Sequence, residues 1–435
     1  MGLWVGAASL SLLLLTLPSG PSRMEWLRLG GTVGLAASVA MLAIGRARGP
    51  WIDRAVLAAF LLTGASYAAA IAFSRWPEAS VQRSLGIPFA MLAGIVGMRI
   101  GGEPGAFRLI SWASIAAVLL LVLDLAWQGW TERSLLAEIP TGRRRQGSLA
   151  NPNDLAMVVP LVALGFSDGG RSRWSGWMIG MVGLAAGAFV QRVSDSRGLA
   201  IGLAALIAVW VMRGLPRRGR WTLAGLVAVM VGTTLLATSE RQRGLFGELV
   251  AWFVPGGEAG SVDGIAGQLA TLAEASQRPA MFAVAWAGFV ESAWFGVGPG
   301  LFAEEWWHRR GGVPWGTVAP SVGYMPWTHN LYLEAIGERG AVGGLAFLLL
   351  LLTPWCAVWR ATRGRPIDPR WRPTLVSSAS ALAGIMVMGL VDLTLLKDWV
   401  SLMLMTSVGL TAGASAALRS AAEADEPEAQ GEHRA

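Results

Sequence analysis

Residues 328–344 read THNLYLEAIGERGAVGG, and residues 345–352 run on as LAFLLLLL. The apolar continuation reads as a membrane helix, and its mouth carries a His-Asn pair, two glutamates and an arginine. Ionisable groups at a bilayer boundary are costly to desolvate and usually persist because they bind or transform something polar. Asn330, Glu334 and Glu338 stand at i, i+4 and i+8, on one line of a helix. Glu338 is about half a turn out of phase with His329 on a regular helix. It is read as a buried partner for an arginine and, with Asn330, as a candidate lining of a substrate site.

Composition places this helix in a polytopic chain. Apolar residues make up 54% and charged residues 14% of 435 residues. A soluble domain carries about 25% charged residues. The formal charge is +7, carried by arginine with Lys397 as the single lysine. The arginines are scattered between apolar runs and not gathered on one soluble face, which argues against nucleic-acid binding. With Cys356 as the single cysteine, no intrachain disulfide can form. The N-terminal apolar stretch has no basic residues before it and reads as a first span, not a cleaved signal peptide.

A span needs about 20 mostly apolar residues. On that rule twelve spans are expected, near 3–18, 29–45, 53–73, 84–100, 107–127, 149–166, 174–190, 198–213, 221–237, 329–355, 374–394 and 398–418. The expected fold is all-α, with residues 1–420 as one polytopic membrane domain. Connections are short except 238–328, which is long and polar, with amphipathic stretches around 263–277 and 279–294. A connection of that length is usually functional, and this one is expected to cap a membrane-facing site. Gly340 and Gly344 have the spacing that lets neighbouring helices approach. The acidic tail 421–435 is expected to be disordered. The arginine bias of short loops favours a cytoplasmic N-terminus and puts 238–328 outside. Arg143, Arg144 and Arg145, with Arg192 and Arg197, then stand on the outer side against the sorting rule, where a phosphate-bearing ligand would retain them.

The candidates for chemistry are few. His329 can accept a proton from a hydroxyl near neutral pH; its other reading is a hydrogen-bonded cap on its own span. Arg197 opens the eighth span in SDSRG, and Arg278 lies within the long loop. Each is either a snorkelling anchor or, in convergence with the other and with Arg192, a cation set that neutralises a diphosphate leaving group. Arg143–Arg145 either anchor to anionic headgroups or attract an anionic lipid-linked substrate. Asn151 and Asn153 are either helix N-caps or hydrogen-bond partners for sugar hydroxyls. His308 and His433 read as polar-surface residues. Asp124 and Asp392, inside apolar runs, are either interhelical hydrogen-bonding groups or polar pathway residues. GVGPG at 296–300 is glycine-rich without a nucleotide context. Scattered histidines and no acidic cluster supply no metal-ligand set.

Four motifs together resemble the bacterial O-antigen ligase and O-antigen polymerase superfamily of membrane glycosyltransferases: GSLANPNDLA (147–156), SRG (196–198), QRPAMFAVAWAGFVESAWFGVGPGLF (277–302) and HNLYLEAIGERGAVGG (329–344). They occur in the family's order, with its long external loop before the last. The ESAW segment departs from the family, which often carries a proline there. The resemblance implies an all-helical fold like other lipid-donor glycosyltransferases and metal-independent glycosyl transfer, without a cofactor, at the outer (periplasmic) face of the bacterial inner membrane. The donor would be a glycan on an undecaprenyl-diphosphate carrier, and the acceptor a hydroxyl of a lipid such as lipid A–core or of another glycan. Arg197 and Arg278 would hold the diphosphate, and His329 would serve the acceptor hydroxyl. Ligase and polymerase share these motifs. A solute transporter of bicarbonate type is the reading from another class; it would more naturally show repeated halves and discontinuous helices around midplane sites.

Overall fold

A computed structural model describes residues 1–17, 31–38, 53–131, 152–165, 182–183, 185–190, 199, 201–206, 277–309, 326–363, 367–390, 393–395 and 397–432. The named elements are all helical. They are α1 (Gly2–Thr16), α2 (Arg54–Ala72), α3 (Pro77–Ser84), α4 (Gly86–Gly101) and α5 (Pro104–Thr131), then a 3-10 turn (Pro152–Met157) and α6 (Val158–Gly165). After these come α7 (Gln277–Glu291), α8 (Phe302–Arg309), α9 (Leu331–Thr362), α10 (Arg372–Met388) and α11 (Asp398–Glu432). Five helical stretches are long and apolar enough to cross a membrane: Arg54–Ala72, Pro77–Gly101, Pro104–Thr131, Leu331–Thr362 and Trp399–Ala424. The chain has the make-up of a membrane protein. Each stretch overlaps a span expected from the sequence; the expected spans 174–190 and 198–213 lie mostly, and 221–237 entirely, outside the described residues.

The bundle is built around α11. Of its apolar stretch 94% is buried, against 39–56% for the other four, so α11 is enclosed by protein while the others also turn a face outward. It packs most closely on α4, and further against α10 and α9. Small residues make the α4 contact possible. A Cβ on Gly409 would stand 2.0 Å from the Gly94 carbonyl oxygen, and one on Gly413 1.9 Å from that of Met98. Close backbone approach of this kind is how membrane helices gain packing energy where lipid supplies no hydrophobic drive. The sequence reading put the small-residue contact at Gly340 and Gly344; the tight pair is on α11, and Gly340 has another task. Towards its end α11 presents Arg419, whose guanidinium donates to Asp53 Oδ2 at 2.6 Å. Asp53 also caps α2 through the amides of Ala55 and Val56, so one carboxylate ties the start of α2 to α11. The helix continues to Glu432, through most of the tail expected to be disordered; alanine and glutamate favour it there, against Pro427 and Gly431.

The expected long loop contains packed structure. Its described part, α7 and α8, buries Ala280, Met281, Ala283, Val284, Ala285, Ala287, Phe302 and Trp306 in a cluster of their own, and α7 lies along α9. Burial of that apolar face replaces the loop reading for residues 277–309.

Candidate functional site

The first half of α9 organises the site. Asn330 has extended backbone and caps the helix: its Oδ1 accepts from Tyr332 N and Leu333 N, both at 3.0 Å. Its Nδ2 donates to the Leu390 carbonyl at 2.9 Å. The Leu331 amide donates to the Gly389 carbonyl and the Tyr332 hydroxyl to that of Met386. The start of α9 is thereby fastened to the end of α10. The cap role that the sequence left open for His329 belongs to Asn330, and the Asn330 amide expected at a substrate is committed to backbone.

His329 is the one described non-glycine residue with left-handed backbone, at φ 53°. Such conformations cost of order 1–3 kcal/mol and cluster at functional sites. The residue is 8% exposed, and its ring packs against Trp327 with centroids 4.7 Å apart. The Lys397 ammonium lies over the Trp327 ring at 4.5 Å. Lys397 is ion-paired with Asp154, whose Oδ1 also accepts from Trp399 Nε1 at 3.2 Å. The 147–156 motif thus reaches the His329 motif through Asp154, a residue the sequence reading passed over. Asn153 lies in the 3-10 turn, with its side chain outside the described residues, as is all of Asn151.

One turn down the helix, Glu334 Oε1 accepts from Leu395 N at 2.9 Å. One turn further, Glu338 accepts from Gly300 N at 2.9 Å and Phe302 N at 3.1 Å. The three polar residues share the expected line, and each holds backbone of a different segment. Glu338 was expected to hold an arginine or line a substrate site. Both its oxygens serve the start of α8, where unpaired amides and the positive end of the helix dipole favour a carboxylate, and the Arg339 charge also acts on it.

At Gly340 (φ 64°, ψ −163°) α9 breaks. The freed groups are taken by residues 293–298. Ala341 N donates to the Ala293 carbonyl and Val342 N to that of Trp294, while Val297 N and Gly298 N donate to the carbonyls of Gly337 and Glu338. A Cβ on Gly340 would stand 2.3 Å from the Trp294 carbonyl carbon, and one on Gly296 2.3 Å from that of Glu338. The GVGPG run, to which the sequence reading gave no role, is the turn that permits this approach, with positive φ at Gly296, Gly298 and Gly300. Beyond the break, 341–362 retains about the 20 residues a span requires.

These pairings orient α7. Ala285 lies against Gly337 and Ala293 against Ala341, so α7 runs parallel to the first half of α9. Its opening turn, which carries Arg278, therefore lies at the His329 end; the Arg278 side chain is outside the described residues. Arg143, Arg144, Arg145, Arg192 and Arg197 also fall outside them. The helical residues 201–206, just after Arg197, are placed by Gly202 against Val159 and Met388, on the side of the bundle where α10 ends.

Arg339, the arginine noted at the mouth of the span but given no role in the sequence reading, is 1% exposed. Its guanidinium lies 4.4 Å over the Tyr67 ring and 5.4 Å over that of Phe347, contacts that stabilise a desolvated cation. A charged residue inside an apolar run was the available signal.

An ion-pair network fastens the α7–α8 unit to the corner between α2 and α3. Arg75 donates to Glu305 at 3.0 Å and Glu291 at 2.9 Å. Arg309 pairs with the same two carboxylates at 3.0 and 2.8 Å, and Arg83 with Glu304. Phe73 stacks on Phe295 and Trp76 on His308, so His308 is a buried packing residue and not the surface residue expected. Burial pushes the Glu305 carboxyl above its ordinary range despite the pull of Arg309 and Arg75. The two ion pairs alone would suggest the reverse, but the carboxylate is 1% exposed and shares both cations with Glu291. For Glu291, burial is outweighed by the Arg75 and Arg309 hydrogen bonds, and its carboxyl is held low.

The signs follow. A carboxyl raised by folding contributes stability at acid pH that is lost as pH rises through its folded value; one held low contributes stability that is lost as pH falls. Glu305→Gln should match the wild type at acid pH and gain on it in thermal stability as pH rises above the ordinary glutamate range. A stability difference independent of pH would contradict the burial argument.

No family model and no curated protein matches this chain.

The geometry therefore stands on its own residues. It gathers the turn before α6, the start of α11 and the end of α10 at the start of α9, beside an imidazole held in a costly backbone conformation.

Proposed function

We propose that the chain is an O-antigen ligase-like glycosyltransferase. It would pass a glycan from an undecaprenyl-diphosphate carrier to a hydroxyl acceptor, lipid A–core or similar, at the periplasmic face of the inner membrane. The observation that carries this reading is His329: left-handed, relieved of capping by Asn330, and packed against Trp327. The four-motif resemblance supplies the substrate class. His329 takes the proton from the acceptor hydroxyl as its oxygen attacks the anomeric carbon. The bond from that carbon to the diphosphate breaks, and the diphosphate leaves with the electron pair against Arg197 and Arg278, with Arg192 and Arg143–Arg145 drawing in the anionic donor. The donor arrives activated, so the proposal includes no nucleotide and no metal.

The break in α9 favours a second reading, since discontinuous helices mark transporter sites. Such sites use the unpaired ends of the half-helices. Here the amides of Ala341 and Val342 and the carbonyls of Gly337 and Glu338 are already bonded to residues 293–298, which supports the transferase over the transporter.

Deleting the gene separates the readings. Accumulated carrier-linked polymer is the result expected for a ligase. Single-repeat surface glycan would point to the polymerase alternative. Unchanged glycans with altered solute uptake would refute both.

A further inference from the structure

The chain has 35 basic residues, and one of them is a lysine. That lysine, Lys397, is ion-paired with Asp154, 243 positions away in sequence, and both side chains are largely buried at 15% and 17% exposure. On its other side the ammonium rests over the Trp327 ring, and Trp327 packs on His329. Trp399, next to α11's first residue, bonds the same Asp154 oxygen. Three segments remote in sequence (152–157, 326–330 and 397–399) thus meet in one chain of contacts that ends on the imidazole.

The geometry points to Asp154 and Lys397 as positioning residues for His329, a role that rests on the transferase reading above. A residue held at φ 53° persists only where its surroundings over-determine it. The cap on Asn330 fixes the backbone after His329, but the ring needs a wall. Trp327 is that wall, and the Lys397 ammonium fixes the wall through its attraction to the indole face. Asp154 neutralises the ammonium, which would otherwise be costly to bury. A lysine suits the place because its charge is compact, whereas a guanidinium would stack as a plane and pair with Asp154 as a fork. Neither Asp154 nor Lys397 need touch substrate for this role.

Steady-state transfer from a carrier-linked glycan, with full-length protein in vesicles, reads the consequence. Lys397→Met and Asp154→Asn should each lower kcat by about 10²-fold, the scale set by a displacement of about 1 Å, with donor KM held within about twofold. The double variant should fall no further than either single, because linked residues act as a unit. A second measurement needs no activity. Carbethoxylation of each histidine by diethyl pyrocarbonate, located by mass spectrometry, should accelerate at His329 in Lys397→Met and stay unchanged at His308. Asp154→Asn, which leaves the ammonium without its carboxylate, should likewise accelerate His329 and spare His308, and serves if the methionine variant fails to fold. If His329 and His308 accelerate together, the pair is a general support of the fold and the positioning role is overturned. It is equally overturned if kcat and His329 reactivity match the wild type. If the wild type transfers no glycan, the transferase reading fails, and the histidine reactivity still reports whether Lys397 holds the ring.

Discussion

Gly340→Val should lower the stability of the folded protein by about 5–7 kcal/mol, beyond what most single substitutions do. Two costs combine. Valine is strained at φ 64° by of order 1–3 kcal/mol. Its Cβ would also stand 2.3 Å from the Trp294 carbonyl carbon, and since this neighbour is backbone, it cannot swing away. Residues 293–298 must retreat, and the four hydrogen bonds that close the break in α9 go with them, at about 1 kcal/mol each net. Gly64→Ala is the control: its added methyl would meet the Met91 Cε at 3.1 Å, the far end of a flexible side chain, and should be nearly neutral. Thermal unfolding in detergent measures the difference, and protease access within 291–302 locates it. Equal Tm values for Gly340→Val and the wild type would show that the turn does not depend on the break.

The second large effect is on activity. His329→Asn should reduce glycan transfer by about 10²–10⁴-fold, the usual worth of a general base, while leaving the protein as stable as the wild type. Asparagine is among the few side chains that tolerate left-handed backbone, so the substitution removes the imidazole without adding strain. Asn330→Ala should do the opposite in kind. It removes the cap on α9 and should cost about 1 kcal/mol of stability. Transfer by His329→Asn at the wild-type rate, in a reconstituted assay, would remove His329 from the chemistry.

These two neighbours show where local sequence was informative. The polar line Asn330, Glu334 and Glu338 was legible because helix periodicity alone puts them on one face. What they hold was not. An arginine was the expected partner for Glu338, on the ground that buried carboxylates seek cations. The structure satisfies the carboxylate with two amides at the start of α8, a choice invisible until that helix is brought against α9. His308 misled in the same way: EEWWHRR reads as polar surface, yet Trp76 from a distant corner covers its ring. Asp154 and Lys397 each looked like an ordinary interfacial charge, and only their meeting gives them a common role.

The sequence by itself determined the membrane character and the helical class. Apolar runs of spanning length have no comfortable state outside lipid or protein, and in lipid a helix satisfies its own backbone. It also singled out His329, through the rarity of an imidazole at the mouth of such a run. Tertiary structure alone decided that α9 breaks at Gly340, that GVGPG is the turn filling the break, and which groups surround the imidazole. Each of these depends on partners from segments far apart in the chain. Periodicity specifies which way a side chain points, whereas its partner is settled when remote backbone arrives to bond it.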